Sequence, residues 1–292
     1  MSASTSTPTR RRAWRKPENI VAIVFMVGLL LYTVVPMAWM LSTSLKSQFA
    51  ALQQPPRWIP EHLTLDQYRT LLSPYNDIGR DFLRYLLNSI WVSTASTVLG
   101  VAVAVPAAYA FSRFSFPGKN ALFFSVLVRN MFPLVVFLIP LFILMRNLRL
   151  VDTHLSLIIT YLTFGLPLSI WLLKGFYDNI PPQLEQAARI DGATRFQAAV
   201  RIILPLALPM MAAIFLFNVI AFYNDYIIAS VVLTGSENYT VGLGLRFFQS
   251  ANGADWALFS AGAIAGALPL VILFYSMQRF LVGGLTAGAV KG

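Results

Sequence analysis

The chain contains no cysteine. That excludes disulfides, thiolate metal sites and a cysteine nucleophile. Histidine is nearly as scarce. His62 and His154 are the only two, and both fall in stretches that link apolar runs. Charged residues make up only 12% of the chain, against about 25% in a soluble domain. No phosphate-binding loop is present: Gly118-Lys119 is followed by Asn120 and lacks the upstream glycine spacing such a loop needs. The chain therefore does not hydrolyse ATP by itself, and any such energy has to come from a partner. The short alternating segments of a membrane barrel, about 10 residues each, are also missing.

What fills the chain instead is apolar. Hydrophobic residues are 57% of the total and the mean hydropathy is +0.65. Crossing a bilayer core of about 30 Å takes about 20 apolar residues of helix. In lipid each backbone polar group must be paired within its own segment, so these runs read as helices. Six runs qualify: Ile20–Leu41, Leu86–Phe111, Ala121–Leu144 with Pro133 and Pro140 inside, Leu155–Leu173, Leu206–Leu233 and Ala257–Leu281. The predicted fold is an all-α integral membrane protein with six transmembrane helices. Residues 1–19 form an N-terminal tail, residues 20–281 the six-span unit and residues 282–292 a C-terminal tail. Between the first and second runs, residues 46–85 read as an external segment with short helices of its own. The first run is longer than the apolar core of a cleaved signal peptide, and no small-residue cleavage site follows it.

The net charge is +10. The basic residues do not form one stripe, which argues against nucleic acid. They cluster in the tail, as Arg10, Arg11, Arg12, Arg15 and Lys16, and in segments between runs. Positive charge there sets topology, so both termini and the segment 177–205 are expected on the cytoplasmic side.

That segment, YDNIPPQLEQAARIDGATRFQAAVRIILP, is a polar island between the fourth and fifth runs. Pro181 and Pro182 precede a stretch of good helix formers from Gln183 to Ile190. Leu184, Ala187 and Ala188 share a face by spacing, and the alanines give that face little bulk. Asp191-Gly192 reads as a turn, because glycine accepts positive φ. Thr194 then caps a second helix, expected to run to a break at Leu204-Pro205. From the residues alone, a docking element and an ordinary amphipathic interfacial loop fit equally well.

Polar residues inside the runs mark further candidates. Arg129-Asn130 lies in the third run, and Asn218, Tyr223, Asn224 and Asp225 lie in the fifth. Depths counted at 1.5 Å per residue differ by roughly 17 Å between Arg129 and Asp225, which argues against a direct pair. Arg129 is expected to snorkel inward or to bond a neighbouring helix. Aromatic rings beside amide and carboxylate groups suit a sugar, so the cluster at 218–225 is a candidate for the outer half of a sugar path. An interfacial aromatic belt is the competing reading.

The spacing of Ala187-Ala188, Gly192 and Ile202-Ile203-Leu204-Pro205, with nine residues between Gly192 and Ile202, resembles the coupling loop of ABC-importer permeases. Gln186 stands where that family usually has glutamate, and Glu185 is its neighbour. The stretch Asn238-Tyr239-Thr240-Val241-Gly242 and the ending Gln278 to Gly292 resemble the carbohydrate branch of the family, the maltose type. The resemblance implies the permease subunit of an ATP-driven sugar importer in a bacterial or archaeal cell membrane. It implies a second related permease, two ATP-binding subunits holding ATP and magnesium, a solute-binding protein outside, and surrounding lipid. This chain itself would bind no cofactor or metal and catalyse nothing. Glu185, Gln186, Ala187, Ala188, Asp191, Gly192, Ile202, Leu204 and Pro205 would couple to the ATPase. Gly288, Lys291 and Gly292 would reach between the ATPase subunits; read without the resemblance, that glycine-rich end is simply frayed. In this importer type the other permease can hold most of the sugar site. The alternative class is an ion-coupled secondary transporter or channel, with Asp225 as its one clear acid. An intramembrane enzyme is disfavoured, since no run holds a histidine or cysteine.

Overall fold

The structure, a computed structural model, describes residues 17–249 and 255–289. Among them every regular element is a helix. In chain order these are α1 (Pro17–Ser44), α2 (Gln48–Ala51), α3 (Asp66–Leu72), α4 (Asp77–Arg113), α5 (Lys119–Val128), α6 (Leu134–Asn147), α7 (His154–Asn179), α8 (Gln183–Ile190), α9 (Arg195–Ala198), α10 (Leu204–Tyr223), α11 (Ile227–Val232), α12 (Val241–Gly244) and α13 (Trp256–Ala289). Five stretches are single helices long and apolar enough to cross a membrane: Val21–Ser44, Asp77–Arg113, His154–Asn179, Arg195–Tyr223 and Trp256–Phe280. The third expected span is broken. Lys119–Met131 and Leu134–Asn147 meet at 101°. Pro133 explains the break, because it removes a donor and pushes the residue before it out of helical geometry. Phe132 is extended there, with ψ 134°. Pro140, also expected to interrupt the span, lies within an unbroken α6.

Two other boundaries differ from expectation. The second span starts at Asp77, capped by Asn76, whose side chain accepts from the Gly79 amide at 2.7 Å. The fifth span ends at Tyr223, and residues 224–226 separate it from the short α11. The break expected at Leu204-Pro205 does not occur. A π-helical turn over Ala199–Ile203 joins α9 to α10, with Pro205 near the start of α10. Proline excludes the ordinary bond to the carbonyl four residues back, and a wider turn relieves that conflict.

Helix α4 is the centre of the bundle and packs most extensively along α7. Its buried face runs Ser89, Ser93, Ser96, Gly100, Ala104 and Ala108. Steps of three and four residues put these small groups on one stripe, which lets two backbones approach closely in lipid. Two of the hydroxyls are satisfied on their own helix, Ser93 donating to the Ser89 carbonyl and Ser96 to that of Val92. Two apolar clusters sit along this seam. One, toward the start of α4, includes Val92, Met145, Leu157, Tyr161, Phe222 and Val232. The other, toward its end, includes Phe111, Leu173, Tyr177, Ile203 and Ile214. A third, smaller cluster joins Leu71 and Phe82 to Leu258, Ala261 and Ala265 of α13.

At the start of α4 the chain's long connections fold over the helix. Asn88 donates to the carbonyls of Glu237 and Tyr239 at 2.9 and 3.0 Å. The buried Ser89 hydroxyl accepts from the Val241 amide at 2.7 Å. Gly244 of α12 lies so near Tyr85 that a Cβ there would overlap the ring, which favours glycine. Asp152, between α6 and α7, accepts from the Thr234 and Gly235 amides at 3.0 and 2.8 Å. Burial pushes this carboxyl's pKa up, but the Gly235 and Thr234 donors outweigh it and leave it below the ordinary 3.8.

Candidate functional site

The polar island forms a compact elbow at the far end of α4, the end carrying Arg113. Helix α7 runs on to Asn179, so residues 177–179 belong to the span rather than to the elbow. Helix α8 follows directly, covering Gln183–Ile190 as expected. It stops by a motif legible in the sequence. Gly192 has φ +90°, its amide donates to the Arg189 carbonyl, and the Ala193 amide donates to that of Ala188. Those two bonds satisfy carbonyls left open at a helix end. A Cβ on Gly192 would meet nothing within 4 Å, so its conformation and not its space demands glycine. Thr194 then starts α9 with a reciprocal cap: its hydroxyl accepts from the Gln197 amide at 3.2 Å, and the Gln197 side chain accepts from the Thr194 amide at 2.8 Å.

The rotation of α8 about its axis departs from the expected face. Leu184, Ala187 and Ile190 form the exposed ridge, with Ile190 86% exposed, and Gln186 lies open beside them. Ala188 is half-buried on the inner side. The cause is Glu185, which turns toward α4. Its two oxygens accept from the Arg113 Nε at 2.6 Å and from the Tyr109 hydroxyl at 2.8 Å. Arg113 also donates to the Ile180 carbonyl at 2.8 Å. The Arg113 and Glu185 side chains are only 14% and 15% exposed. Breaking such a pair strands a charge away from water, at a cost of about 3–5 kcal/mol for a fully buried case. Beside it, the Asp178 carboxylate accepts from Ser112 at 2.7 Å and from Lys174 at 2.6 Å. Glu185 thus belongs to the anchoring of the elbow, not to its open face. Asp191, Gly192 and Pro205 are exposed, while Ile202 and Leu204 are half-buried against the bundle.

The elbow also floors a cavity of about 420 Å³, lined by Val105, Tyr109, Phe114, Tyr177, Phe196 and Ile203 among others, with Arg195 at its wall. Its lining is almost wholly apolar, and it contains no arrangement of acid, base and nucleophile. Among the described residues no group of His, Asp or Glu could hold a metal ion.

In the cluster proposed for a sugar path, three of the four side chains bond to other helices. Asn218 is buried and donates to Ser169 at 2.9 Å. Tyr223 is buried and donates to the Gly266 carbonyl at 2.6 Å. Asp225 accepts from the Tyr161 hydroxyl at 3.0 Å and from the Ala229 amide at 3.1 Å, so it starts α11. These three each bond to another helix of this one chain. Only Asn224 is exposed, and its side chain donates to the Ile220 carbonyl. Arg129 sits at the break of the third span with its guanidinium 3.5 Å from the centre of the Phe164 ring on α7. It lies against that neighbouring helix, donates to the Asn130 side chain at 3.0 Å and makes no ion pair with Asp225. At the chain's end α13 continues as helix through Gly288 to Ala289; Lys291 and Gly292 lie outside the described residues.

Sequence reasoning missed Arg113 and Tyr109 as partners of the elbow. A signal existed: an arginine just after an apolar run, matched by an acid in the only other connection between runs expected on the same side.

Comparison with known proteins agrees with this architecture. The chain is 36% identical over 281 residues to the inner membrane ABC transporter permease protein YcjP of Escherichia coli K12, covering 94% of this chain and 98% of that protein. It is 32% identical to the diacetylchitobiose uptake system permease protein DasC of Streptomyces coelicolor, over 96% of this chain and 98% of that one. It is 37% identical to the maltose/maltodextrin transport system permease protein MalG of Escherichia coli K12, over 80% and 83%. In fold it matches a chain from the crystal structure of a bacterial ABC transporter involved in the import of the acidic polysaccharide alginate, with a TM-score of 0.76, 24% identity and coverage of 94% and 99%. Residues 96–286, from the middle of α4 to near the end of α13, match one family along that whole stretch, and the chain belongs to it: the inner membrane components of binding-protein-dependent transport systems.

Proposed function

We propose that this chain is the permease subunit of an ATP-driven importer for a small oligosaccharide, and that α8 with its flanking turns is the element gripped by a separate ATPase. The observation that carries this reading is the elbow itself: a short helix with an open ridge, held to the bundle by a largely enclosed ion pair and bounded by a glycine turn and a reciprocal cap. An interfacial loop lying in lipid would need no such rigid mounting. Relatives named for maltose, maltodextrin and diacetylchitobiose support the oligosaccharide class.

The complete importer would add a second related permease, two ATP-binding subunits carrying ATP and magnesium, and a solute-binding protein on the side of Asn88 and Tyr239. The elbow and both termini would face the cytoplasm of a bacterial or archaeal cell. ATP binding closes the motor, the motor displaces the elbow, and the helices open the cavity alternately to each side. Asn218, Tyr223, Asn224 and Asp225 would border the outer half of the sugar path, with the partner permease holding most of the sugar. Gly288, Lys291 and Gly292 would reach the ATPase subunits.

Copurification and uptake test this together. An ATPase subunit should follow the chain out of the membrane, and deletion of residues 186–192 should release it. Uptake of maltose, trehalose or diacetylchitobiose into energised vesicles should stop on ATP depletion and survive collapse of the ion gradient. Uptake with the reverse sensitivities makes the chain an ion-coupled transporter instead.

A further inference from the structure

We propose that Arg113 and Tyr109, by clasping Glu185, make α4 the rod that carries motion of the elbow to the connection 236–241 on the opposite face. This rests on the coupling reading above and adds the residues through which coupling passes.

The geometry that points there is a helix held tightly at both ends. At one end both carboxylate oxygens of Glu185 are occupied, at 2.6 and 2.8 Å, by side chains one helical turn apart on α4. Arg113 adds a bond to Ile180, in the short link that leads into α8, so the entry to the elbow and the elbow are seized by one side chain. At the other end Asn88 holds two carbonyls of the connection, Ser89 holds the Val241 amide, and Tyr85 lies against Gly244. From Ser89 to Arg113 the helix covers about 36 Å at 1.5 Å per residue, the depth of a bilayer. Nothing between these points is a loop. Helix α7 also crosses the bundle and leads into the elbow. Its far end meets the connection as well, through a 3.3 Å contact of His154 with Asn238 and, just ahead of the helix, through the Asp152 carbonyl, which accepts from the Asn238 side chain at 2.8 Å. The side chains that clasp Glu185 of the elbow, however, stand on α4. Charge-assisted bonds with little exposure resist shear better than apolar contact, because slipping leaves a charge unpaired.

The absence of cysteine supplies the test. A single introduced Ser236→Cys, exposed at the connection, is the chain's only thiol and takes an environment-sensitive dye. In the complete importer, with accessible thiols removed from the partner subunits, ATP with vanadate should change the dye's emission. Arg113→Gln should keep the ATPase subunits bound and hydrolysing ATP, yet cut the emission change about tenfold, the loss of one charge-assisted bond. Tyr109→Phe should cut it less, and Arg113→Lys should restore part of it. An unchanged response in Arg113→Gln with the ATPase bound overturns the proposal. So does loss of the ATPase from Arg113→Gln, which would make the pair a docking support only, and so does an unmodified chain whose dye ignores ATP. Failure of the ATPase to copurify even with the unmodified chain strikes the docking reading and leaves a different result from each of these.

Discussion

At the scale of single residues, the chain spends its few charges where geometry demands them. Glu185 fixes which face of α8 is presented, by pairing with Arg113 rather than with solvent. Gly192 fixes where α8 ends, through φ +90°. Gly192→Ala places a side chain in left-handed backbone at a cost of about 1–2 kcal/mol. The expected outcome is faster amide hydrogen exchange across residues 183–197, with the rest of the bundle unchanged. Asp152 gives a pH dependence. Its folded pKa lies below the ordinary 3.8, so it contributes stability that is fully present above that value. The contribution drains away as pH falls below that value and through the folded pKa. Thermal unfolding followed between neutral pH and acid should therefore show a falling midpoint, and Asp152→Asn should flatten that slope. A slope identical in both proteins would remove Asp152 as its cause.

At the scale of elements, the exposed ridge of α8 is the surface a motor would grasp. Ala187→Trp puts a large ring in the middle of that ridge without touching Glu185 or Ala188. The expected outcome is loss of the copurifying ATPase subunit, with thermal stability of the isolated chain held within about 0.5 kcal/mol, as for other surface changes. Much of this element is legible in the sequence, because caps and turns are local chemistry: Thr194, Gly192 and the Pro181-Pro182 entry each act within a few residues. The apolar spans are legible because lipid allows a long uncharged run only one backbone solution. What the sequence hides depends on contacts far apart in it. Glu185 and Arg113 are 72 positions apart, and their pairing turns α8 away from the face its spacing suggests. That Asn218, Tyr223 and Asp225 find partners in Ser169, Gly266 and Tyr161 is likewise hidden until the helices are brought together. The break at Pro133 is visible as a proline, but its 101° bend depends on what α5 and α6 pack against.

At the scale of the molecule, one long helix organises the others, with the elbow clasped at one end and the connection 236–241 at the other. The first helix stands outside that arrangement. From Val21 to Ala38 each residue of α1 is exposed, and none enters a buried apolar cluster. Its closing turn does join the bundle, with Ser44 2.8 Å from the Tyr68 hydroxyl and buried Lys46 donating to the Arg57 carbonyl. A chain trimmed to begin near Trp39 should therefore keep the thermal midpoint of the full chain in detergent, since the cut opens no void in the interior. The same feature sets a division of labour. The interior is complete without this strut, so its greasy perimeter is left free to meet lipid or a neighbouring subunit, and whatever surrounds it can change without disturbing the works within.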